Sequence, residues 1–491
     1  MDEPSPPRWY ALDARSLAAL RIGLAALVLL DLGLRSVDLA AHYTDGGVLP
    51  RALVPPGSWD FAWSLHRLGG STGFEASLFV LHAAAAAALL LGWQTFWSAL
   101  LTAVLTISLH GRNPLLRDGQ DDLLRVLLVW GVLLPWGSRW SLDARRGRPG
   151  HPLGSPAGPM VATAATAGYL LQLLLVYWSS VIAKLESPWW RSGEALFLSM
   201  SISRYETRFG QLLLHAPALL HLATYAVLAF ELFAPAVVLL RREPRWRTGE
   251  VVAFWVLHLG MASVLRLGLF PLIAGVGWLA LLPGSVWPTE PVPAVATEER
   301  RSPLGRVLVA ALLVLAVGVN LTYLWPTPGG IRLGAVQLTA RILGLQQYWS
   351  VFSPTAGMTG AQMDGWLTVV GDRPDNRSVD LLAGGAPPRP GRPPLGADIY
   401  PNRRWRHWAA ALREEWPRGT LQRRTVEEAR LTSLQWWCWQ WNHPHPPAER
   451  VEVVRVSWLQ QRLGHPGDPP EPRVLAQGVC KTEAHLPQST N

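Results

Sequence analysis

The stretch VATAATAGYLLQLLLVYWSSVIAK, from Val161 to Lys184, carries no charge before its last residue and is long enough to cross a bilayer as one helix. Backbone amides in hydrocarbon must form hydrogen bonds within their own segment, so such a run predicts a membrane-spanning helix. Comparable apolar runs lie on both sides, at Ser16–Ser36, Ala76–Trp93, Trp97–His110, Leu123–Trp136, Pro217–Leu240 and Gly305–Trp325. The chain is therefore predicted to be a polytopic membrane protein.

The run Val251–Leu282 is too long for one ordinary span and slightly short for two. Arg266 and Pro271 interrupt it near its middle, which favours two short helices joined by a tight turn over one kinked span. With two helices here, the chain has about nine transmembrane spans.

Arginine in the short loops sets the predicted orientation, because cytoplasmic loops are enriched in basic residues. Three clusters follow the fourth span, follow the sixth span and precede the last: Arg139, Arg145, Arg146 and Arg148; Arg241, Arg242, Arg245 and Arg247; Arg300, Arg301 and Arg306. Placing all three inside makes the N-terminus cytoplasmic and the C-terminus extracytoplasmic. The loops Val37–Glu75, Gly111–Asp122 and Leu185–Ala216 then lie outside.

After Trp325 the composition becomes that of a water-soluble domain. GWLTVVGDR near Gly365, VEVVRVSWLQ near Val451 and RVLAQGVCKTE near Arg473 are typical of strands, and Trp405–Trp416 of a helix. A Pro/Gly/Arg tract at Gly384–Gly396 is a predicted loop. The predicted fold is an all-α polytopic membrane bundle, residues 1–325, with a small α+β extracytoplasmic C-terminal domain, residues 326–491.

The composition argues against several classes of protein. With 49% hydrophobic and 16% charged residues, the balance is that of a membrane protein and not of a cytosolic enzyme. The formal charge of +9 comes from arginines scattered in short loops, which does not form a nucleic-acid-binding face. The two cysteines, Cys438 and Cys480, cannot form a metal cluster, so no metal is predicted; they either form a disulfide or remain two buried thiols.

Lysine usage is the sharpest local signal. Of 44 basic residues, only Lys184 and Lys481 are lysines, and Lys184 ends an apolar helix. A desolvated lysine can lose its proton and act as a base, whereas arginine stays protonated. Lys184 is therefore the first candidate catalytic residue, and the alternative is a lysine that reaches the membrane interface or pairs with Glu186.

His110 is the second candidate, since it ends the third span and opens the turn HGRNPLLRDGQDD. His110, Arg112 and Asn113 emerge on the same predicted side as Lys184, so they can converge on one pocket; the alternative for His110 is a helix cap. Ionisable groups inside the bundle are costly and mark a cavity or a mutual pair. These groups are His221, Glu231, His258 and Arg266, and pairing of Glu231 or His258 with Arg266 is the structural alternative.

The segment YWSSVIAKLESPWWRSGEAL, from Tyr177 to Leu196, resembles the HTTM family, bacterial membrane proteins related to vitamin K-dependent gamma-glutamyl carboxylase. The likeness continues in order through other motifs: HYTDGGVLPR at His42–Arg51, HGRNPLLRDGQDDLLR at His110–Arg125, LLPWGSRWSLDA at Leu133–Ala144, FELFAPAVV at Phe230–Val238, HLGMASVLRLGLFP at His258–Pro271 and LGLQQYWSVFSP at Leu343–Pro354. It covers roughly residues 12 to 285 and reaches into the C-terminal region.

The resemblance implies a fold of nine spans with an outward active site, in which Lys184, followed by Leu185, Glu186 and Trp189, deprotonates reduced vitamin K or a similar quinol. Carbon dioxide and oxygen are the implied co-substrates. Two departures count against carboxylation of protein glutamates: Ala183 replaces the first lysine of a family pair, and the C-terminal domain is shorter.

We therefore expect a membrane enzyme that deprotonates a lipophilic hydroquinone. Lys184 and His110 are its expected catalytic residues, and Arg112, Asn113, Trp189 and His258 its expected substrate-binding residues. The expected partners are a membrane lipid or quinone and a peptide or small molecule as carboxylation substrate. A non-catalytic lipid- or quinone-binding scaffold is the alternative.

Overall fold

The computed structural model describes residues 8–55, 61–147, 151–152, 158–288, 303–324, 334–354, 363–389, 391–413, 420–465 and 467–481. Arg148, Arg300, Arg301, Trp325 and the end of the predicted helix at Trp405–Trp416 lie outside these ranges. Most of the described chain is helical, and a small sheet lies near the C-terminus.

The N-terminal two thirds of the chain is built from helices joined by short turns. In chain order the helices are α1 (Ala14–Ser36), α2 (Leu39–Tyr43), α3 (Thr72–Leu91), α4 (Thr95–Arg112), α5 (Gly119–Gly131), α6 (Leu142–Arg145), α7 (Ala164–Glu186), α8 (Pro188–Arg191), α9 (Ala195–Ser201), α10 (Arg208–Leu213), α11 (Pro217–Phe233), α12 (Val237–Leu240), α13 (Pro244–Val264), α14 (Phe270–Trp278) and α15 (Pro303–Leu324). A two-stranded pair, β1 (Leu12–Asp13) with β2 (Met160–Val161), ties the start of α1 to the start of α7.

Five of the described helices are long and apolar enough to cross a membrane: Ala14–Ser36, Thr72–Leu91, Ala164–Glu186, Pro217–Leu240 and Pro303–Leu324. They coincide with five of the predicted spans. The other predicted spans fall on α4, α5, α13 and α14, which are helical but shorter or less apolar. The membrane character of the protein is supported, and the number of about nine spans stays a prediction.

The helical structure is interrupted between α13 and α14, as predicted for the run Val251–Leu282. Two backbone contacts stabilise this interruption. Leu265 forms an antiparallel β-bridge with Glu206, and the Arg266 amide donates to the Tyr205 carbonyl at 2.9 Å. Pro271 lies in the first turn of α14, where a missing amide proton costs nothing. The proline therefore starts the second helix instead of kinking one long helix.

Local sequence explains where the two helices that carry most of the site begin. Thr163 and Thr166 form a reciprocal capping box at the start of α7, so the apolar run becomes helical from Ala164. Asp118 caps α5 by accepting from the amides of Gln120 and Asp121. Both caps satisfy amides that would otherwise lack partners at a helix start.

The C-terminal region contains α16 (Gly334–Leu343), α17 (Arg403–Arg413), α18 (Thr420–Asn442) and a four-stranded antiparallel sheet in the order β4-β3-β5-β6. Its strands are β3 (Met363–Asp372), β4 (Ser378–Asp380), β5 (Val453–Arg462) and β6 (Glu471–Val479). The three predicted strands are confirmed. Helix α18 was not predicted, because its apolar residues are interleaved with charges instead of forming one uninterrupted run.

The two cysteines form a disulfide between Cys438 in α18 and Cys480 just after β6, with Cα atoms 5.5 Å apart. The bond fixes α18 against the edge of the sheet. Of the two alternatives that the sequence left open, the structure therefore has the disulfide.

Candidate functional site

One cavity lies where the helical bundle meets the C-terminal region, and it encloses about 1300 Å³ of empty space including its mouth. Most of its wall is apolar, from α5, α7, α11, α13 and α14: Leu123, Leu127, Leu173, Val176, Val227, Met261, Val264, Phe270 and Ala274. The segment Trp349–Phe352, two residues of α17, and Trp190, Leu196, Ser199 and Tyr205 also line it.

Lys184 lies in this wall, at the last turn of α7, and is buried. Its Nζ donates to Oε2 of Glu231 on α11, which lines the same cavity. Nζ also lies 4.5 Å from the centre of the Trp190 ring, a cation–π contact. The partner of Lys184 is thus Glu231 and not Glu186, which is exposed at the helix surface.

A chain of three side chains continues from the cavity into the bundle. Trp278 Nε1 donates to the Tyr177 hydroxyl at 2.8 Å, and that hydroxyl lies 2.8 Å from Nε2 of His258. Indole nitrogen can only donate, so the Tyr177 hydroxyl accepts from Trp278, and the tautomer of His258 sets the direction of the second contact. The other ring nitrogen of His258, Nδ1, is buried and has no hydrogen-bond partner in the described part of the chain.

A second polar cluster borders the cavity where α17 approaches α5. Asp118, the cap of α5, forms an ion pair with Arg403, and its Oδ2 lies 2.9 Å from Nε2 of His407. All three residues line the cavity. The C-terminal region therefore supplies part of the wall.

His407 is neutral at pH 7 in this environment. Burial, followed by the guanidinium groups of Arg403, Arg204, Arg404 and Arg406, lowers the pKa of His407 well below its ordinary value. The contact with the nearby carboxylate acts in the opposite direction, but Arg403 already pairs with that same oxygen. We conclude that the positive surroundings prevail.

His110, Arg112 and Asn113, which were expected to share the pocket with Lys184, do not line it. His110 points into a closed network in which Arg35 bridges Asp31 and Asp121, both at 2.6 Å. His110 Nε2 lies 3.3 Å from Arg35 Nη2 and 3.7 Å from the Asp121 carboxylate. The prediction that these three residues share a pocket with Lys184 is therefore wrong.

Arg404 of α17 closes the same network from the other side. Its Nη1 donates to Oδ2 of Asp121 at 2.7 Å, and its Nη2 donates to Oδ1 of Asp31 at 3.0 Å. Asp31, His110 and Asp121 present oxygen and nitrogen atoms within 4.8 Å of one another, a spacing that a metal ion could use. Because Arg35 and Arg404 already neutralise these carboxylates, we interpret the cluster as an ion-pair network.

The other predicted residues have structural partners. Arg112 Nη1 donates to the Leu49 carbonyl at 3.0 Å, and Asn113 donates to the His42 carbonyl at 3.0 Å. Trp189 is only half buried, and it is the following residue, Trp190, that reaches the cavity. Arg112 holds the loop after α2 and Asn113 holds the last turn of α2, so their role here is to fix the backbone.

The structural alternative, in which Glu231 or His258 pairs with Arg266, is wrong. Arg266 does not pair with Glu231 or His258; it pairs with Asp398 of the C-terminal region at 2.6 Å. It lies in the break after α13, outside the helical part of the bundle. Glu231 and His258 line the cavity, where Glu231 pairs with Lys184 and His258 contacts Tyr177.

Sequence reasoning missed Tyr177, Trp190, Asp118, Arg403 and His407 as members of the site. Trp190 and Tyr177 flank Lys184 within one apolar segment, so proximity in sequence could have suggested them. Nothing in the local sequence of α17 indicates that Arg403 and His407 meet α5.

No family model matches the sequence, and no curated protein or solved structure is significantly similar to it. The function must therefore be argued from the cavity itself.

Proposed function

We propose that this protein is a membrane enzyme, similar to vitamin K-dependent gamma-carboxylase, that deprotonates a lipophilic hydroquinone-like substrate. The observation that carries the proposal is the buried Lys184–Glu231 pair in the wall of a largely apolar cavity. A largely apolar cavity with a few convergent polar groups is typical of a binding or catalytic site.

Lys184 is placed to act as the base. When the Lys184 ammonium passes its proton to Glu231, the neutral amine can accept the proton of a substrate hydroxyl. The Trp190 ring then stabilises the ammonium that forms, since a cation over an indole face is attracted by its quadrupole. Glu231 is thus the second proton-handling group of the site.

The other polar groups of the wall suit a ligand with oxygen atoms. The hydroxyl of Ser199 lines the cavity, is buried and has no hydrogen-bond partner among the described residues. Nδ1 of His258 is a second buried polar atom that has no hydrogen-bond partner among the described residues. A reduced quinone would supply the acidic hydroxyl and the electrons for epoxidation or carboxylation, with oxygen and carbon dioxide as co-substrates.

We also propose about nine spans, a cytoplasmic N-terminus and an extracytoplasmic C-terminal domain. The arginine clusters support this orientation. So does the disulfide between Cys438 and Cys480, because disulfides persist in oxidising compartments. The cavity, which borders the C-terminal region, would then open towards the outer side.

The test is Lys184→Arg, which keeps the charge and removes the basicity. Loss of general base catalysis should lower the rate of quinol epoxidation or carboxylation about 100-fold or more. The matched control is Lys481→Arg, because Lys481 is exposed and remote from the cavity. It should leave the rate unchanged.

Full activity in Lys184→Arg would eliminate the base role. If the wild-type protein binds the quinol with no turnover in the same assay, the protein is instead a lipid- or quinone-binding scaffold. The purified protein reconstituted in lipid nanodiscs serves both measurements.

A further inference from the structure

We infer that Asp118, Arg403 and His407 form a second polar subsite of the cavity, here called the second station, which binds a second hydroxyl group of the same ligand. The inference rests on the proposed function, because it takes the Lys184–Glu231 pair as the first station. It adds that the ligand is recognised at two separate oxygen groups.

The side chains of Asp118, Arg403 and His407 are mostly buried, but each keeps some accessible surface. Their exposed fractions are 13% for Asp118, 14% for Arg403 and 15% for His407, and all three line the cavity. The neighbouring Arg404 has a side chain only 7% exposed and is absent from the cavity wall. Two consecutive arginines of α17 thus differ in their surroundings, and only the first is accessible to a ligand.

The two stations border the same short stretch of chain. A Cβ atom on Gly119, the residue after Asp118, would lie 3.7 Å from the Val351 side chain. The next residue, Phe352, accepts a hydrogen bond from Nε1 of Trp190 at 2.8 Å, and Trp190 packs against Lys184. Both stations therefore border the segment Val351–Phe352 in the wall of one cavity.

The chemistry of the second station fits a hydroxyl group. The Asp118 carboxylate accepts hydrogen bonds, the Arg403 guanidinium donates, and a neutral His407 offers one donor and one acceptor. A hydroxyl both donates and accepts, so it satisfies such a set. An anionic head group fits less well, because Asp118 would repel it and already neutralises Arg403.

The first station has the same character, since Lys184 donates and Glu231 accepts. The wall between the stations is apolar and aromatic, with Trp349 and Phe270 among its residues. A ligand with one hydroxyl at each side of an apolar ring satisfies both stations. A ligand with a single hydroxyl forms hydrogen bonds at only one station and loses the net contribution of those at the other.

The experiment compares a lipophilic hydroquinone with its monomethyl ether, bound to the full chain in lipid nanodiscs. Wild-type protein should bind the hydroquinone about tenfold more tightly than the ether, because the methylated oxygen cannot donate a hydrogen bond to a station. In His407→Phe, which keeps the ring volume, the preference should fall to about twofold, because the station can no longer bind the second hydroxyl. His407→Gln, with an amide that donates and accepts, should restore part of it.

His465→Phe is the matched control, since His465 is exposed in the C-terminal region, and it should keep the tenfold preference. An unchanged preference in a folded His407→Phe protein would overturn the second station and leave Lys184-dependent turnover standing. Failure of wild-type protein to bind either compound would overturn the proposed function and this inference together. Binding is the readout, so the result does not depend on the rate of the chemical step.

Discussion

Two buried ion clusters lie within one bundle, and they differ in what surrounds them. The network of Asp31, Arg35, Asp121 and Arg404 is closed on all sides, and each carboxylate accepts from both guanidiniums. The Lys184–Glu231 pair instead faces an apolar cavity. The first satisfies its charges within the protein, whereas the second leaves room for another molecule.

The comparison teaches that a buried charge does not by itself mark a site. By burial and charge density the Asp31–Asp121 network is the more conspicuous of the two, and it contains His110, a predicted catalytic residue. Its partners leave no room for a ligand. The network instead connects α1 and α5 to α17, so it fixes the C-terminal region on the bundle, and the cavity depends on that attachment.

The largest expected effect comes from breaking the closed network. Asp121→Asn leaves Arg35 and Arg404 with Asp31 as the single carboxylate of the network. An uncompensated buried charge should lower the free energy of unfolding by about 3–5 kcal/mol. Thermal unfolding of the purified protein in mild detergent measures the loss.

The control for this substitution is Asp375→Asn, because Asp375 is exposed and its ion pair with Arg377 is on the surface. Its effect should stay within about 0.5 kcal/mol. A loss of less than 1 kcal/mol in Asp121→Asn would mean that the network does not hold the C-terminal region, and the contrast between the two clusters would fail.

A smaller effect is expected at the pair in the cavity. Lys184→Met leaves Glu231 buried without a partner, but a carboxyl beside a cavity can take up a proton or a water molecule. The cost should be about 1–3 kcal/mol. The double variant Lys184→Met with Glu231→Leu should recover most of this loss, since an apolar pair replaces both charges.

A double-mutant cycle on unfolding free energies decides the point. Recovery in the double variant, together with loss of turnover, would separate the catalytic role of the pair from any structural one. If the losses of unfolding free energy in the two single variants add up in the double variant, the pair has a structural role like that of the closed network.

The membrane helices could be predicted because apolar length is a local property of the sequence. The strands β3, β5 and β6 could be predicted for the same reason, since alternation over a few residues suffices. The partner of Lys184 could not. Glu186 is nearer in sequence, but residues two apart on a helix do not face each other, and Glu231 comes from a different helix.

The position of His110 shows a second limit. The predicted topology places His110 and Lys184 on one side of the membrane, but it predicts only their depth and not which neighbours surround them. His110 contacts Arg35 of α1, and Lys184 contacts Glu231 of α11. The part of the cavity wall formed by Arg403 and His407 depends on how α17 docks, which is a property of tertiary packing alone.

The smallest expected effect is a pH dependence that comes from His407. Its pKa is lowered in the folded state, chiefly by burial and then by Arg403, Arg204 and other arginines, while Asp118 opposes this shift. Above the ordinary histidine pKa of about 6.5 the ring is neutral in both states and contributes no pH dependence. Below that pH the unfolded chain binds a proton that folded His407 does not, so stability falls as pH decreases.

The slope for this single group is at most about 1.4 kcal/mol per pH unit, and it should be measured as the difference between wild type and His407→Gln from pH 7.5 to 5. Taking the difference removes the contribution of the other histidines. Above pH 6.5 the difference in unfolding free energy should not change with pH. Below pH 6.5 wild type should lose stability faster than the variant. If wild type instead gains stability relative to the variant below pH 6.5, Asp118 holds a charged imidazolium. The cavity would then contain a second ion pair resembling Lys184–Glu231 instead of a neutral station.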